Sequence, residues 1–384
     1  MKYTFKCKNK NYVFNGNTLQ LFIGDDLTQI EDKNIKEYKE DELSIVTIYV
    51  TNACNARCQY CYENHSEEFM NEKSADNIIK YLYARYKVIN KVRFFGGEPF
   101  LNFKIIKYIV EKLKKKIVVE EFSVTTNAVL ITDYILEFLE QYNFKIIISL
   151  DGPDVIHDKL RIGCEHKSVV EKIKKIQKKS IGQLLEINCT YTKYHMEHIS
   201  LCDLERYFEE LEVKYIISDV ITEKEFLKLP EENIVQDKKD SIDRCYKRLL
   251  TKSLNIGRNF YVSTIINAIV THEYSYYFCE ELCEGIAFDT DGERYPCTRL
   301  IRKCNFADSK LQIYNYKGDS KCKNCWARGI CSFCTADIYL RKKIPYESAE
   351  CEMKKMYEYA LKRFCEYFSE DPLKAQQIVD NFYS

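Results

Sequence analysis

Three cysteines stand close together in Cys54-Asn-Ala-Arg-Cys58-Gln-Tyr-Cys61, a C-x3-C-x2-C spacing that follows the apolar run Ile45–Val50. Three thiolates on one short loop can hold three irons of a cubane cluster and leave the fourth iron without a protein ligand. Electron-transfer ferredoxins supply four cysteines, and structural zinc sites supply four ligands. An iron left open binds and activates something; the competing reading of the same residues is a zinc site lacking one ligand. A second group, Gly96-Gly97-Glu98-Pro99, follows a short apolar run ending at Phe95. Glycines let backbone approach a ligand closely, and Glu98 offers an acceptor for an ammonium group; as a lone tetrapeptide it could equally be a turn. A third group is C-terminal. Nine of the 18 cysteines lie between Cys279 and Cys351.

The elements that position these groups alternate. Strand candidates are Leu43–Thr51, Val92–Phe95, Ile117–Thr125, Phe144–Leu150, Leu184–Thr192 and Lys214–Val220, rich in Ile, Val, Phe and Tyr and short enough for buried parallel strands. Between them Ile78, Ile79, Leu82 and Tyr86 recur at helical spacing. So do Ile105, Ile109 and Leu113; Ile135, Phe138 and Leu139; and Val169, Val170, Ile173 and Ile176. Ser168-Val-Val-Glu171 reads as a capping box for the last of these helices. Six βα units in a row predict a parallel α/β sheet curled into a partial barrel, with function at the carboxyl ends of its strands.

Five segments result. Residues 1–43 form a β-rich meander with a turn at Asn15-Gly16, either a cover for the barrel bottom or a strand edge that pairs with a peptide. Residues 44–222 form the partial barrel. Residues 223–278 form a helical connector with the stripe Tyr246, Leu249, Leu250 and Leu254. Residues 279–351 form a cysteine-rich domain, and 352–384 a C-terminal helix with Met356, Tyr359, Ala360 and Phe364 on one face.

Composition narrows the partners. Lys plus Arg and Asp plus Glu are both 58, so no net charge steers the chain to nucleic acid or an anionic membrane. Basic runs such as Lys112–Lys116 alternate with apolar residues as solvated helix faces do. No apolar h-region follows Met1 and no run approaches a membrane span. The expected location is the cytoplasm, where cysteines in this number ligate metals rather than form disulfides. No Walker loop, G-x-S-x-G or H-E-x-x-H occurs.

The C-x3-C-x2-C loop together with the Gly96–Pro99 tetrapeptide resembles the signature of radical S-adenosylmethionine (SAM) enzymes. The resemblance implies a [4Fe–4S] cluster on Cys54, Cys58 and Cys61, with the amino acid end of SAM on its open iron. Electrons from a donor such as flavodoxin or ferredoxin then cleave SAM to methionine and a 5′-deoxyadenosyl radical. It implies that Gly96, Gly97, Glu98 and Pro99 bind the SAM amino group and that Tyr60 lies near the adenine. Thr125-Thr126-Asn127 falls where the family shows Thr-Asn-Gly, with Ala128 in place of the glycine; Asn127 is then a SAM contact. Ser149-Leu-Asp151-Gly152, with His157-Asp158 and Arg161, resembles a further family stretch. Ser149 and Asp151 become contacts to the SAM carboxylate, ribose or substrate, while His157 and Arg161 are either part of that site or a structural hydrogen-bond network.

The C-terminal cysteines resemble the SPASM domain of peptide-modifying radical SAM enzymes, although Cys331-Ser-Phe-Cys334 is one residue shorter than the pattern. Carried across, Cys279, Cys283, Cys297 and Cys334 hold one auxiliary [4Fe–4S] cluster, and Cys322, Cys325, Cys331 and Cys351 a second. With the SAM cluster this makes three. Zinc fits the CxxC pairs on local grounds, and Cys304 is unassigned. The implied substrate is a ribosomal precursor peptide receiving a crosslink such as a Cys thioether. The alternatives are a sulfatase maturase, a small-molecule enzyme and a non-catalytic electron-transfer protein. Sulfatase maturases carry an Asp after the cysteine matching Cys297, where this chain has Thr298. The 43 residues before the barrel are fewer than a complete leader-binding domain, so leader recognition falls to a separate protein or to the meander.

Overall fold

The structure, a computed structural model, describes residues 2–24, 41–63, 65–220, 224–229, 234–251, 259–272, 285–303, 324–331 and 351–383. The chain divides into two compact units. One comprises Lys39–Pro230 and Glu280–Ser309; the other comprises Met1–Tyr38, Glu231–Cys279 and Lys310–Ser384.

The first unit is built on strands β4 (Glu42–Thr51), β6 (Val88–Gly96), β7 (Val118–Thr126), β8 (Lys145–Ser149), β10 (Leu185–Tyr191) and β11 (Lys214–Asp219), all parallel and in sequence order. Helices α1 (Glu72–Tyr83), α2 (Phe103–Leu113), α3 (Asp133–Gln141), α4 (Asp154–Leu160), α5 (His166–Gln177), α6 (Lys193–His198) and α7 (Leu201–Glu210) lie between them. Alternation along the strands divides the faces. Val46, Ile48 and Val50 join one core with Ile78, Ile79 and Leu82 of α1 and Ile105, Ile106 and Ile109 of α2. Each such side chain contributes roughly 1.5–3 kcal/mol on burial. The opposite faces carry Thr47, Tyr49, Arg93, Phe95, Thr125 and Ser149.

Two details depart from the sequence reading. The sheet does not stop at β4: β12 (Gly285–Phe288) pairs in parallel with Ile45–Ile48, and β13 (Arg294–Tyr295) pairs antiparallel with β12. Part of the cysteine-rich segment therefore completes the barrel sheet. The capping box at Ser168 is also corrected. Helix α5 starts three residues earlier, with Glu165 rather than Ser168 at its N-cap, because the Asp158 carboxylate accepts the His166 amide at 2.7 Å and meets a donor that would otherwise lack a partner.

In the second unit, β1 (Lys2–Cys7), β2 (Lys10–Asn15) and β3 (Gln20–Ile23) form the antiparallel meander. Its buried Phe5, Tyr12, Phe14 and Leu19 share a core with α8 (Ile234–Thr251), α9 (Phe260–Thr271), Trp326, α10 (Glu352–Glu370) and α11 (Pro372–Tyr383). The meander thus belongs to this second core rather than to the barrel core. Gly16 is required at its turn, since a Cβ there would lie 1.9 Å from the Trp326 carbonyl oxygen. The expected single C-terminal helix is two helices, broken at Asp371-Pro372 because proline cannot continue a helix but starts one well. Leu254 lies outside the described residues, and no described helix is long and apolar enough to cross a membrane.

Candidate active site

The three cysteines follow β4 directly. The Thr51 hydroxyl donates to the Glu68 carbonyl at 2.8 Å and accepts the Ala53 amide at 3.1 Å, which turns the chain out of the strand. Arg57 closes the loop by donating to the carbonyls of Cys54 and Ala56 at 2.6 and 2.7 Å. The far side is pinned by a two-residue ladder between β5 (Arg57–Cys58) and β9 (Arg161–Ile162), in which Cys58 faces Arg161. All three thiols are partly buried. Burial pushes each of them up, Cys61 to about 11, so without a cation they are neutral and a bound metal must displace their protons. No three His, Cys, Asp or Glu side chains among the described residues converge as ligands of a single ion. A soft three-thiol set on one loop, with a backbone amide on Cys54 Sγ at 3.4 Å, fits an iron–sulfur cluster.

The Gly96–Pro99 segment lies directly on this loop. Gly96 has φ +130°, and a Cβ there would fall 2.1 Å from the Thr51 carbonyl oxygen; one on Gly97 would fall 2.1 Å from that of Ala53. The amides of Gly97 and Glu98 donate to those same carbonyls, each at 2.9 Å. The two motifs are therefore in backbone contact. Glu98 is buried. Its Oε1 accepts from the Phe100 amide at 3.2 Å and the Thr126 hydroxyl at 2.7 Å, and its Oε2 from the Asn127 amide at 2.8 Å. Oε2 keeps capacity for another donor. Burial raises this carboxyl to about 7 against those three hydrogen bonds, so a cation at Oε2 would stabilise the ionised form. Pro99 opens a short 3-10 turn.

Asn127 joins the same cluster, donating through Nδ2 to Asn55 Oδ1 at 2.8 Å. Ala128 adopts φ +68° and is fully buried. The turn is thus kept without glycine: left-handed strain of roughly 1–2 kcal/mol is offset by burial of a methyl.

Ser149 ends β8, and Asp151 is the most connected side chain of the site. Asp151 Oδ2 accepts from the Tyr60 hydroxyl at 2.6 Å and Arg161 Nε at 2.8 Å; Oδ1 accepts from Arg161 Nη2 at 3.2 Å and the Thr190 amide at 3.0 Å. Four protein donors thus occupy the carboxylate where the sequence suggested a ligand contact. Burial works to raise Asp151, but the Arg161 guanidinium beside it holds the carboxyl below its ordinary value. His157 accepts the Asp151 amide at Nδ1 and reaches the Cys164 carbonyl at Nε2, so its part is structural.

His195 was not singled out from the sequence. It faces the Asp151 carbonyl at 2.7 Å, while its Nδ1 accepts from the Thr192 amide at 3.1 Å. Its signal was faint: a Thr three residues ahead, as in a capping box. Arg302 was also missed. It pairs with Asp289 after β12 and with Glu68 at 2.7 Å, and Glu68 in turn accepts from Asn52 Nδ2 at 2.9 Å.

Of the C-terminal cysteines, Cys297 is buried ahead of the 3-10 turn Thr298–Leu300 in the barrel unit. Cys325, Cys331 and Cys351 are partly buried in the second unit. Cys279, Cys283, Cys304, Cys322 and Cys334 lie outside the described residues.

Comparison with known proteins gives the same answer as this geometry. The radical SAM superfamily model matches residues 48–211. The chain carries a radical SAM domain. Relatives include an uncharacterized protein of Methanocaldococcus jannaschii (38% identical over 124 residues, 32% of this chain) and the radical SAM cyclopropyl synthase TigE of Paramaledivibacter caminithermalis (30% over 136 residues, 30% of this chain). The chain spans less than half of either, 43% and 29%. A probable GTP 3',8-cyclase of Methanococcus maripaludis is 24% identical over 295 residues, 74% of this chain and 93% of that one. Among solved structures, the anaerobic sulfatase maturase anSMEcpe with bound AdoMet and Cp18Cys peptide superposes with TM-score 0.68 at 19% identity, covering 89% of this chain and 99% of that one. Streptococcus suis SuiB bound to precursor peptide SuiA gives 0.56 at 19% identity, covering 82% and 76%. At these identities the superpositions speak to the fold.

Proposed function

We propose that this chain is a cytoplasmic radical SAM peptide maturase that abstracts hydrogen from a ribosomal precursor peptide and installs a Cys thioether crosslink. The observation that carries the reading is the backbone contact between the cysteine loop and Gly96–Glu98. It places an acceptor with spare capacity beside three thiols at the carboxyl ends of adjacent strands. A [4Fe–4S] cluster held by Cys54, Cys58 and Cys61 supplies one-electron cleavage of SAM, with electrons from a flavodoxin or ferredoxin. The chain does the rest. Glu98 Oε2 accepts the SAM ammonium, and Gly96, Gly97 and Pro99 shape the loop that lets it approach. Asn127 and Ser149 are the further ligand contacts. Asp151 positions Tyr60, on the cysteine loop, rather than touching the ligand itself. Fixing the target C–H bond supplies much of the rate in such chemistry.

In this reading Cys279, Cys283, Cys297 and Cys334 hold one auxiliary [4Fe–4S] cluster of a SPASM domain, and Cys322, Cys325, Cys331 and Cys351 another. The peptide assignment is supported by fold neighbours solved with peptides, anSMEcpe with Cp18Cys and SuiB with SuiA. Thr298, at the start of a 3-10 turn, offers a hydroxyl rather than a carboxylate base and weighs against formylglycine formation. A small-molecule substrate is the second reading, favoured by the long match to GTP 3',8-cyclases.

Coexpression with precursor peptides encoded beside the gene, followed by mass spectrometry, tests the proposal. The expected product is a peptide lighter by two hydrogens whose cysteine resists alkylation. An aldehyde at a sulfatase motif, or conversion of GTP with no peptide changed, overturns it.

A further inference from the structure

Arg161 is placed on the cysteine loop with more care than a surface arginine needs. Its guanidinium grips the fully buried Asp151 with two nitrogens, Nε to Oδ2 at 2.8 Å and Nη2 to Oδ1 at 3.2 Å. The third nitrogen, Nη1, donates to Cys58 Sγ at 3.8 Å. The backbone fixes the same meeting. Arg161 and Cys58 are partners in the β5–β9 ladder, and the Gln59 amide donates to the Leu160 carbonyl at 2.8 Å. The guanidinium carbon also stands 5.3 Å from the centre of the Tyr60 ring. Asp151 cannot drift, because the Tyr60 hydroxyl, the Thr190 amide and two imidazoles hold it.

We infer that Arg161 raises the reduction potential of the cluster held by Cys54, Cys58 and Cys61, by keeping a fixed positive charge and an N–H donor on the Cys58 sulfur. The inference rests on the proposed ligand role of those cysteines. Reduction adds one negative charge to a cluster and its thiolates. A donor at a ligating sulfur stabilises the reduced form more than the oxidised one, and hydrogen bonds to sulfur are among the main determinants of such potentials. The Asp151–Arg161 pair is neutral overall, yet it is a dipole whose positive end rests on the sulfur and whose negative end faces away. Being buried, it is little screened by salt. Asp151 is then the group that keeps the guanidinium aimed, and removing it alone would strand a buried cation.

The test uses the anaerobically reconstituted full chain and a redox titration followed by electron paramagnetic resonance, tracking the signal that SAM perturbs. The double variant Asp151→Asn/Arg161→Met removes both charges together. It should hold the same iron but show about a tenfold lower reduced-to-oxidised ratio at a given potential, which is about 59 mV for one electron. Arg161→Lys keeps the charge and loses the fork, and should shift the ratio about threefold in the same direction. An unchanged potential in the double variant overturns the inference while leaving the ligand assignment intact. If the double variant loses the cluster, Arg161→Lys decides, and an unmoved potential there overturns it. A wild-type chain that binds no cluster at these cysteines overturns both readings, and iron analysis separates that case.

Discussion

His157 and His195 hold opposite ends of one residue: His157 Nδ1 accepts the amide of Asp151 at 3.2 Å, and His195 Nε2 donates to its carbonyl at 2.7 Å. Backbone amides of Asp151 and Thr192 point at the two Nδ1 atoms, so both rings are neutral with the proton on Nε2. A protonated imidazole at either position would turn its Nδ1 into a donor facing a donor.

That arrangement carries a pH dependence. Burial lowers His157 to about 4, against an ordinary value near 6.5. Between about pH 6.5 and 4 the unfolded chain binds the proton and the folded chain does not. His157 therefore contributes stability that is full above about 6.5 and is lost as pH falls toward 4. Glu98, raised to about 7, acts in the opposite sense, so the informative quantity is the difference between wild type and His157→Gln. Urea unfolding of both from pH 7 to 5 should show the gap narrowing as pH falls. Parallel curves would remove the imidazole as its source.

Glu98→Gln keeps the shape of the turn and removes the carboxylate. SAM binding should weaken by about 1–3 kcal/mol, the scale of a lost charge-assisted hydrogen bond. Iron content should stay the same. Calorimetry that finds unaltered SAM affinity would leave Glu98 as a cap for the following turn and nothing more.

Gly97→Ala places a methyl 2.1 Å from a backbone oxygen that cannot swing away. The two motifs must then separate, at roughly 1–3 kcal/mol for overpacking of this kind. SAM affinity should fall together with melting temperature. A variant that melts earlier yet binds SAM normally would show that the contact is not part of the ligand site.

Replacing Cys54, Cys58 and Cys61 together by Ala should abolish SAM cleavage. Iron should drop from about twelve to about eight per chain if both auxiliary sites are four-iron clusters. Release of 5′-deoxyadenosine by the triple variant under strong reductant would end the radical assignment.

The sequence exposed much of this site because its motifs sit at the ends of strands that follow one another. Leu43–Thr51 and Val92–Phe95 are consecutive apolar runs, and consecutive strands in such sheets are neighbours, so Cys54 and Glu98 had to meet. What stayed hidden depends on partners far away in the chain. Nothing in Thr192-Lys-Tyr-His195 announces that an imidazole will reach a carbonyl 44 residues back. Ser168 satisfied a local capping pattern, but Asp158 supplied the acceptor from the preceding helix. The four-residue strand Gly285–Phe288 is too short to stand out beside a run of cysteines.

The second core sets a schedule for making this protein. Tyr12 on the first hairpin and Ser369 near the end of α10 are hydrogen-bonded across 357 residues of chain. On the ribosome the hairpin emerges long before α10, so Phe5, Tyr12 and Phe14 lack the α10 members of their core, such as Met356, Tyr357 and Phe364, until that helix follows. The barrel strands between them close mainly through neighbours in sequence, so the barrel can assemble while its flanking unit waits. Apolar surface exposed for that long invites chaperone binding and aggregation. Low yield during expression would then trace to the hairpin and α10 rather than to the cysteine loop.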